Sequence, residues 1–309
     1  MLMKNKVTII GAGMVGSTVA YSLILQDIVD EIALIDLNED LVKSQVMDLE
    51  HSIPFVGRTD VKVGDYDDCA DSAVAVITCG AAQKPGETRL DLVQKNAAII
   101  KKVIPAIFDK NPDIILVMVT NPVDVLTHVA VSLFPEKKDQ IMGTGTILDS
   151  ARFRHLIGKK LDVDPKSIHA YILGEHGDSE FPVWSTASIG NMQIGTCDCI
   201  SPEEQENIFT QARGAAYTII EGKQSTYYAI GAGCAHLIRA IVRNKKSVLP
   251  VSHLIEGTYD INDVCLSMPA IVGYTGLMGK LCIKLNKTEQ KQLKKTAEVL
   301  KETFAKIEN

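Results

Sequence analysis

Five stretches of the chain, KVTII (6–10), EIALI (31–35), AVAVIT (73–78), DIILVMVT (113–120) and QIMG (140–143), are apolar in continuous runs rather than at alternate positions. A strand without alternation buries both of its faces, which requires a parallel sheet with helices packed on either side. The intervals supply those helices, at 14–27, 39–50, 88–109 and 124–133. Repeated strand-helix-strand units of this kind build an α/β, doubly wound sheet. Ligands of such sheets bind beyond the carboxyl ends of the strands, so the residues that follow each run are where chemistry is expected.

After about residue 144 the pattern changes to two long helices (202–221 and 226–244), a strand-rich stretch (247–273) and a charged helix from Lys287. The expected architecture is a doubly wound, Rossmann-type parallel-sheet domain over 1–143 followed by a mixed α+β domain over 144–309. No Pro/Ser-rich linker separates the halves, so they are expected to pack together. The apolar stripes of the two long helices suit either subunit contacts or packing within the chain. A net charge of -6 provides no basic field for nucleic acid or an anionic membrane, and neither partner is expected. MLMKNKVTII leads into a strand rather than a signal-peptide core and no run reaches spanning length, so a cytoplasmic protein is expected. The seven cysteines are scattered and several lie in apolar runs, which suits reduced thiols.

The first chemical motif is Gly11, Gly13 and Gly16, spaced G-x-G-x-x-G directly after a strand and at the head of a helix. With Met14 and Val15 these residues form a turn that a pyrophosphate can approach closely, at the positive end of the helix. An isolated match would serve helix-sheet packing equally well. Asp36, twenty positions after Gly16 and at the end of the next strand, can accept hydrogen bonds from both ribose hydroxyls and would repel a 2'-phosphate. NAD is therefore favoured over NADP. A phosphate-binding ATPase loop would need lysine where Ser17 stands, and a calcium loop begun at Asp36 would need glycine at Leu41 and glutamate at Met47. Cys197 and Cys199 have no second pair at zinc-site spacing, so no metal is expected.

Further candidates lie at other strand ends. Asn121 opens TNPVD, Asp149 and Arg152 stand one helical turn apart in LDSARFR, and His176 occupies a Gly-flanked turn after HAYIL. Each has an ordinary structural explanation when taken alone. Together, with Arg89 after the Pro85-Gly86 turn, they supply what reduction of a 2-keto acid by a nicotinamide requires. The requirements are an imidazolium proton donor, its acid partner, a guanidinium for the carboxylate and another for the carbonyl.

GAGMVG, GAAQKPGETRLDLVQKN, VTNPVD, GTGTILDSARFR, LGEHGDSEFPVWS and STYYAIG occur in the order and spacing of one family. On these motifs the chain resembles the bacterial-type L-lactate dehydrogenases of the lactate/malate dehydrogenase family over most of its length, least at about 191–210. The resemblance implies NAD as cofactor, pyruvate and L-lactate as substrates, the final step of anaerobic glycolysis, and a homotetramer. It implies that His176 gives the proton to the keto oxygen, that Asp149 orients and charges that imidazole, and that Arg152 grips the substrate carboxylate. Arg89 would polarise the carbonyl from a closing loop, Asn121 would lie near carbonyl and nicotinamide, and Thr226 would line the pocket for the substrate's side chain. Gln83 stands where malate dehydrogenases carry an arginine for the second carboxylate of oxaloacetate, so a neutral substrate terminus is expected there. Lys84 beside it is expected to point away. Arg154 and His169 match positions that bind fructose 1,6-bisphosphate in bacterial members, which makes allosteric activation an expectation. The alternatives are a malate dehydrogenase, a dehydrogenase for bulkier 2-hydroxy acids, and a non-catalytic NAD redox sensor, for which Arg89, Asp149, Arg152 and His176 would not all be needed.

Overall fold

The computed structural model describes residues 5–81, 89–195, 197 and 199–308. The five continuous apolar runs become β1 (Lys6–Ile10), β2 (Glu31–Ile35), β4 (Val74–Ile77), β5 (Ile115–Met118) and β6 (Ile141–Gly143), and β3 (Asp60–Val63), outside those runs, brings the parallel strands to six among the described residues. Their spatial order is β3-β2-β1-β4-β5-β6, so the strand order reverses at β1/β4 and a crevice opens beyond the carboxyl ends there. Helices α1 (Met14–Leu25), α2 (Glu39–Ser52), α3 (Arg89–Lys110) and α4 (Val123–Leu133) cover the two faces. Ile9, Leu34 and Val76 are fully buried on one side of the sheet, and Ala75, Ile77 and Leu116 on the other. That double burial is the physical reason the runs lack alternation.

The second half contributes α5 (Ile147–Leu161), β7 (Ile168–Leu173), β8 (Phe181–Ile189), β9 (Met192–Gln193), α6 (Pro202–Lys223) and α7 (Tyr228–Val242). It continues with β10 (Ser247–Thr258), β11 (Ile261–Gly273), β12 (Gly276–Lys280) and α8 (Lys287–Glu308). The halves are more closely joined than two packed lobes. Antiparallel β12-β11-β10 extends the parallel sheet past β6, through the Ser252–Gly143 pairing, into one sheet of nine described strands. A separate three-stranded sheet, β7-β8-β9, carries α5 against it.

The apolar stripe of α7 packs within the chain, against α1. A Cβ at Gly231 would meet the Thr18 carbonyl oxygen at 2.9 Å, so the two helices approach backbone to backbone. Most of α6 is exposed, with Ile208, Phe209 and Ala212 its buried residues. Cys197 and Cys199 stand beside each other, their Cα atoms 5.3 Å apart. Cys69, Cys234 and Cys265 are buried free thiols.

Candidate active site

The glycine turn at the β1/β4 crevice separates packing from binding. Gly11 has φ +112, and a Cβ on it would lie 2.6 Å from the Cys79 backbone nitrogen; one on Gly16 would lie 1.9 Å from the Gly11 carbonyl oxygen. Around Gly13 a Cβ would meet nothing within 4 Å. No side chain caps α1, and no acidic residue occupies its first turn. The amides there face an open, positive helix end, which suits a pyrophosphate. Met14 is exposed at the head of α1, Val15 is partly buried, and the Ser225 hydroxyl reaches Met14 Sδ at 3.7 Å. Asp36 accepts from Ala12 N at 2.7 Å and from Asn38 N at 2.9 Å, which sets its carboxylate over the turn with lone pairs left for a ribose. These residues fit a dinucleotide.

The different roles of the glycines give a test. Gly16→Ala is expected to cost about 3 kcal/mol of stability, because the obstacle is backbone that cannot rotate away. Gly13→Ala is expected to fold normally and to weaken NADH binding about tenfold, since a methyl group would occupy ligand space. Thermal melting and NADH fluorescence titration separate the two; equal effects of both substitutions on melting would contradict the assignment.

A second cluster forms at the carboxyl end of β7. β7 ends at Leu173, Gly174 turns at φ +92, and its amide and carbonyl pair with Ser267. The turn thus presents His176, whose backbone N–H donates to Asp124 Oδ2 at 2.6 Å. The imidazole Nδ1 is 2.5 Å from Asp149 Oδ2, and Arg152 Nη1 donates to Asp149 Oδ1 at 2.8 Å. Asp149 is buried in the first turn of α5, where the helix end favours a negative charge. Burial would raise its pKa, but the His176 charge and hydrogen bond, with Arg152, hold it below the usual carboxylate range. Burial alone would lower His176; the Asp149 charge and hydrogen bond outweigh that and push it up to about 9. The imidazole is a proton donor at neutral pH. Arg152 keeps further N–H donors, so its ion pair with Asp149 leaves a guanidinium edge available to an anion.

The cavity beside this cluster is lined by Asn121, His176, Val119, Thr144, Ile230 and Cys234, among others. Asn121 stands at a cis bond to Pro122, and its carbonyl accepts from Asn96 Nδ2 at 3.0 Å. Ala81 N donates to Asn96 Oδ1 at 2.8 Å, which ties the start of the following segment to this corner. Gln83 and Lys84 lie outside the described residues, as does the Arg89 side chain. Thr226 sits in the α6–α7 connection, one turn ahead of Ile230 and outside the lining. Arg154 is half-buried on α5 with its Nε donating to the Ser150 carbonyl, and burial lowers its pKa against the pull of Tyr171. His169 is exposed on β7.

Sequence reasoning missed the apolar wall and two buried acids, Asp124 and Glu180. The wall residues carry no local chemical signal. Asp124, raised to about 6 by burial against the Ser252 hydroxyl and the His176 amide, was visible as the lone acid in the apolar helix VDVLTHVAV.

The NAD-binding domain model of lactate/malate dehydrogenase matches residues 5–143, and the α/β C-terminal domain model matches 146–309. The chain is 46% identical to the L-lactate dehydrogenase of Synechococcus sp. (strain JA-3-3Ab) over 306 residues, which are 98% of this chain and 99% of that protein. It is also 46% identical to that of Acetivibrio thermocellus, with 98% of each chain covered. Among solved structures, a lactate dehydrogenase from a Medee basin deep-sea metagenome library superimposes with a TM-score of 0.96 at 39% identity, covering 99% of both chains. The minor L-lactate dehydrogenase of Enterococcus mundtii, in a ligand-bound form, superimposes with the same TM-score at 34% identity, again covering 99% of both chains.

Proposed function

Because the chain belongs to the lactate/malate dehydrogenase family, we propose that it interconverts pyruvate and L-lactate with NAD, residues 1–143 holding the dinucleotide and 144–309 the substrate. The observation that carries this reading is the Asp149–His176 contact with Arg152 on the same carboxylate, at one wall of a cavity that Asn121 also lines. Bound NADH would supply the hydride. Arg152 pairs with the substrate carboxylate through two parallel hydrogen bonds that a lysine could not reproduce. That pairing orients the keto oxygen toward His176. The imidazolium donates its proton there while Asp149 holds the ring and stabilises its charge. Asn121 hydrogen-bonds near the carbonyl, Arg89 polarises it from the segment that closes over the substrate, and Thr226 would reach the methyl end from the α6–α7 connection. Asp36, Gly11, Gly13, Met14, Val15 and Gly16 hold the adenosine and pyrophosphate.

The test is NADH oxidation with kcat/KM compared for pyruvate, oxaloacetate and a branched 2-keto acid. Strong preference for pyruvate supports the reading. Preference for oxaloacetate would move the chain to the malate-specific side of the family, and no turnover at all would favour a redox sensor.

The proposal extends to a cytoplasmic homotetramer working at the last step of anaerobic glycolysis. Large exposed apolar side chains on and after α2, Met47, Phe55 and Val56, are available for contact between copies. Arg154 and His169 are proposed to bind fructose 1,6-bisphosphate, both being residue types that suit phosphate. Identical pyruvate saturation curves with and without the sugar bisphosphate would remove that part.

A further inference from the structure

Glu180 takes no part in the steps above, yet it lies against the proton-donating pair. A tight turn, closed by the Glu180 amide donating to the Gly177 carbonyl at 3.1 Å, folds it back beside His176. The residue is 6% exposed, and its Oε1 has no hydrogen-bond partner. One carboxylate oxygen of Glu180, one of Asp149 and a ring nitrogen of His176 all lie within 4.8 Å of one another. A divalent cation is a poor occupant of this cluster, because the Arg152 guanidinium already sits on Asp149.

An ionised carboxylate buried without a full set of partners is costly, and here it would also face the Asp149 charge. Burial first and Asp149 second push Glu180 up to about 9, against the opposing pull of His176, Arg152 and Arg213. Asp149 and Arg152 face the cluster from α5, Asp124 from α4 and Arg213 from α6, with Glu175 on the same turn. Glu180 therefore holds its proton at neutral pH, beside the proton that His176 carries in the same cluster. Two adjacent groups in that position release their protons as a pair.

We propose that Glu180 is a positioning residue for the transferred proton: it shares proton release with His176, so that the imidazole stays in its donating form to higher pH than Asp149 alone would hold it. With one proton gone from the pair, part of the population has lost it from Glu180, and the new carboxylate stabilises the imidazolium beside it. A group of the same shape that cannot ionise would force that first proton to leave His176. The inference rests on the reading of His176 as the proton donor.

The test compares the full-length wild type with Glu180→Gln and Glu180→Asp. The His176 titration is followed by NMR on protein labelled at the histidine ring carbon, the signal being assigned by its loss in His176→Asn. In Glu180→Gln the imidazolium midpoint is expected to fall by about one pH unit, and the ratio of kcat at pH 9 to kcat at pH 7 for keto-acid reduction to fall about fivefold. Glu180→Asp, which can still ionise, should recover much of both. An unmoved His176 midpoint in Glu180→Gln overturns the proposal, as does a loss of kcat that is uniform across pH, because either outcome makes Glu180 a space-filling group. If the wild type reduces no 2-keto acid, the proposed function fails while the His176 midpoint still decides this inference.

Discussion

His176→Asn is expected to lower kcat for pyruvate reduction on the order of 10³-fold or more while leaving NADH binding within about twofold. Asparagine is close in size to the imidazole and can still donate to Asp149, so the loop tied by His176 N to Asp124 should keep its course. What disappears is the imidazolium, cationic at neutral pH and able to hand over a proton at this wall of the cavity. The dinucleotide turn at Gly11–Gly16 belongs to another part of the chain and should be unaffected. Steady-state turnover together with NADH fluorescence titration measures both sides. More than about a tenth of the wild-type kcat in the variant would remove His176 from the reaction, and a parallel loss of NADH affinity would show that the substitution had disturbed the fold.

Gln83→Arg is expected to change the ratio of kcat/KM values for oxaloacetate and pyruvate by roughly a thousandfold in favour of oxaloacetate. A dicarboxylate brought into the site beside a neutral glutamine buries a charge without a partner, whereas a guanidinium would pair with it. Gln83 lies outside the described residues, but the segment that carries it starts beside the site. Ala81 is bonded to Asn96, Asn96 to the Asn121 carbonyl, and Asn121 lines the cavity. Two residues beyond Ala81 is a short reach from that corner. The measurement is the substrate pair assayed on wild type and variant under the same conditions. A ratio that does not move would show that position 83 does not meet the substrate, and would turn attention to Lys84.

Five of the six described strands of the first half were legible within two residues at either end. KVTII and EIALI are β1 and β2 without a shift, because burial on both faces writes a continuous apolar run. DIILVMVT overreached: β5 stops at Met118, and the Thr120 hydroxyl turns back to donate to the Cys79 carbonyl at 2.8 Å. β3 left no signal, since it is an edge strand with Val61 its one buried residue. β8 and β9 were missed for a similar reason, their burial being partial and irregular.

The site divides along the same line. Glycine spacing, an acid after the second strand and the Asp-x-x-Arg turn are short-range patterns, so the dinucleotide turn, Asp36 and the Asp149–Arg152 pair could be located without coordinates. The meeting of Asp149 with His176, 27 residues later, depends on β7 returning against α5 and on Gly174 pairing with Ser267. Glu180 and Asp178 look alike in GEHGDSE. Only packing makes one a buried acid that holds its proton and leaves the other exposed, bonded to the Tyr217 hydroxyl. Side-chain type and spacing are local properties, so the sequence by itself determined which groups are present and which strands bury both faces. Proton affinity depends on solvent exclusion and on charges brought together from distant parts of the chain, so only the tertiary structure decided which of those groups carries a proton at neutral pH.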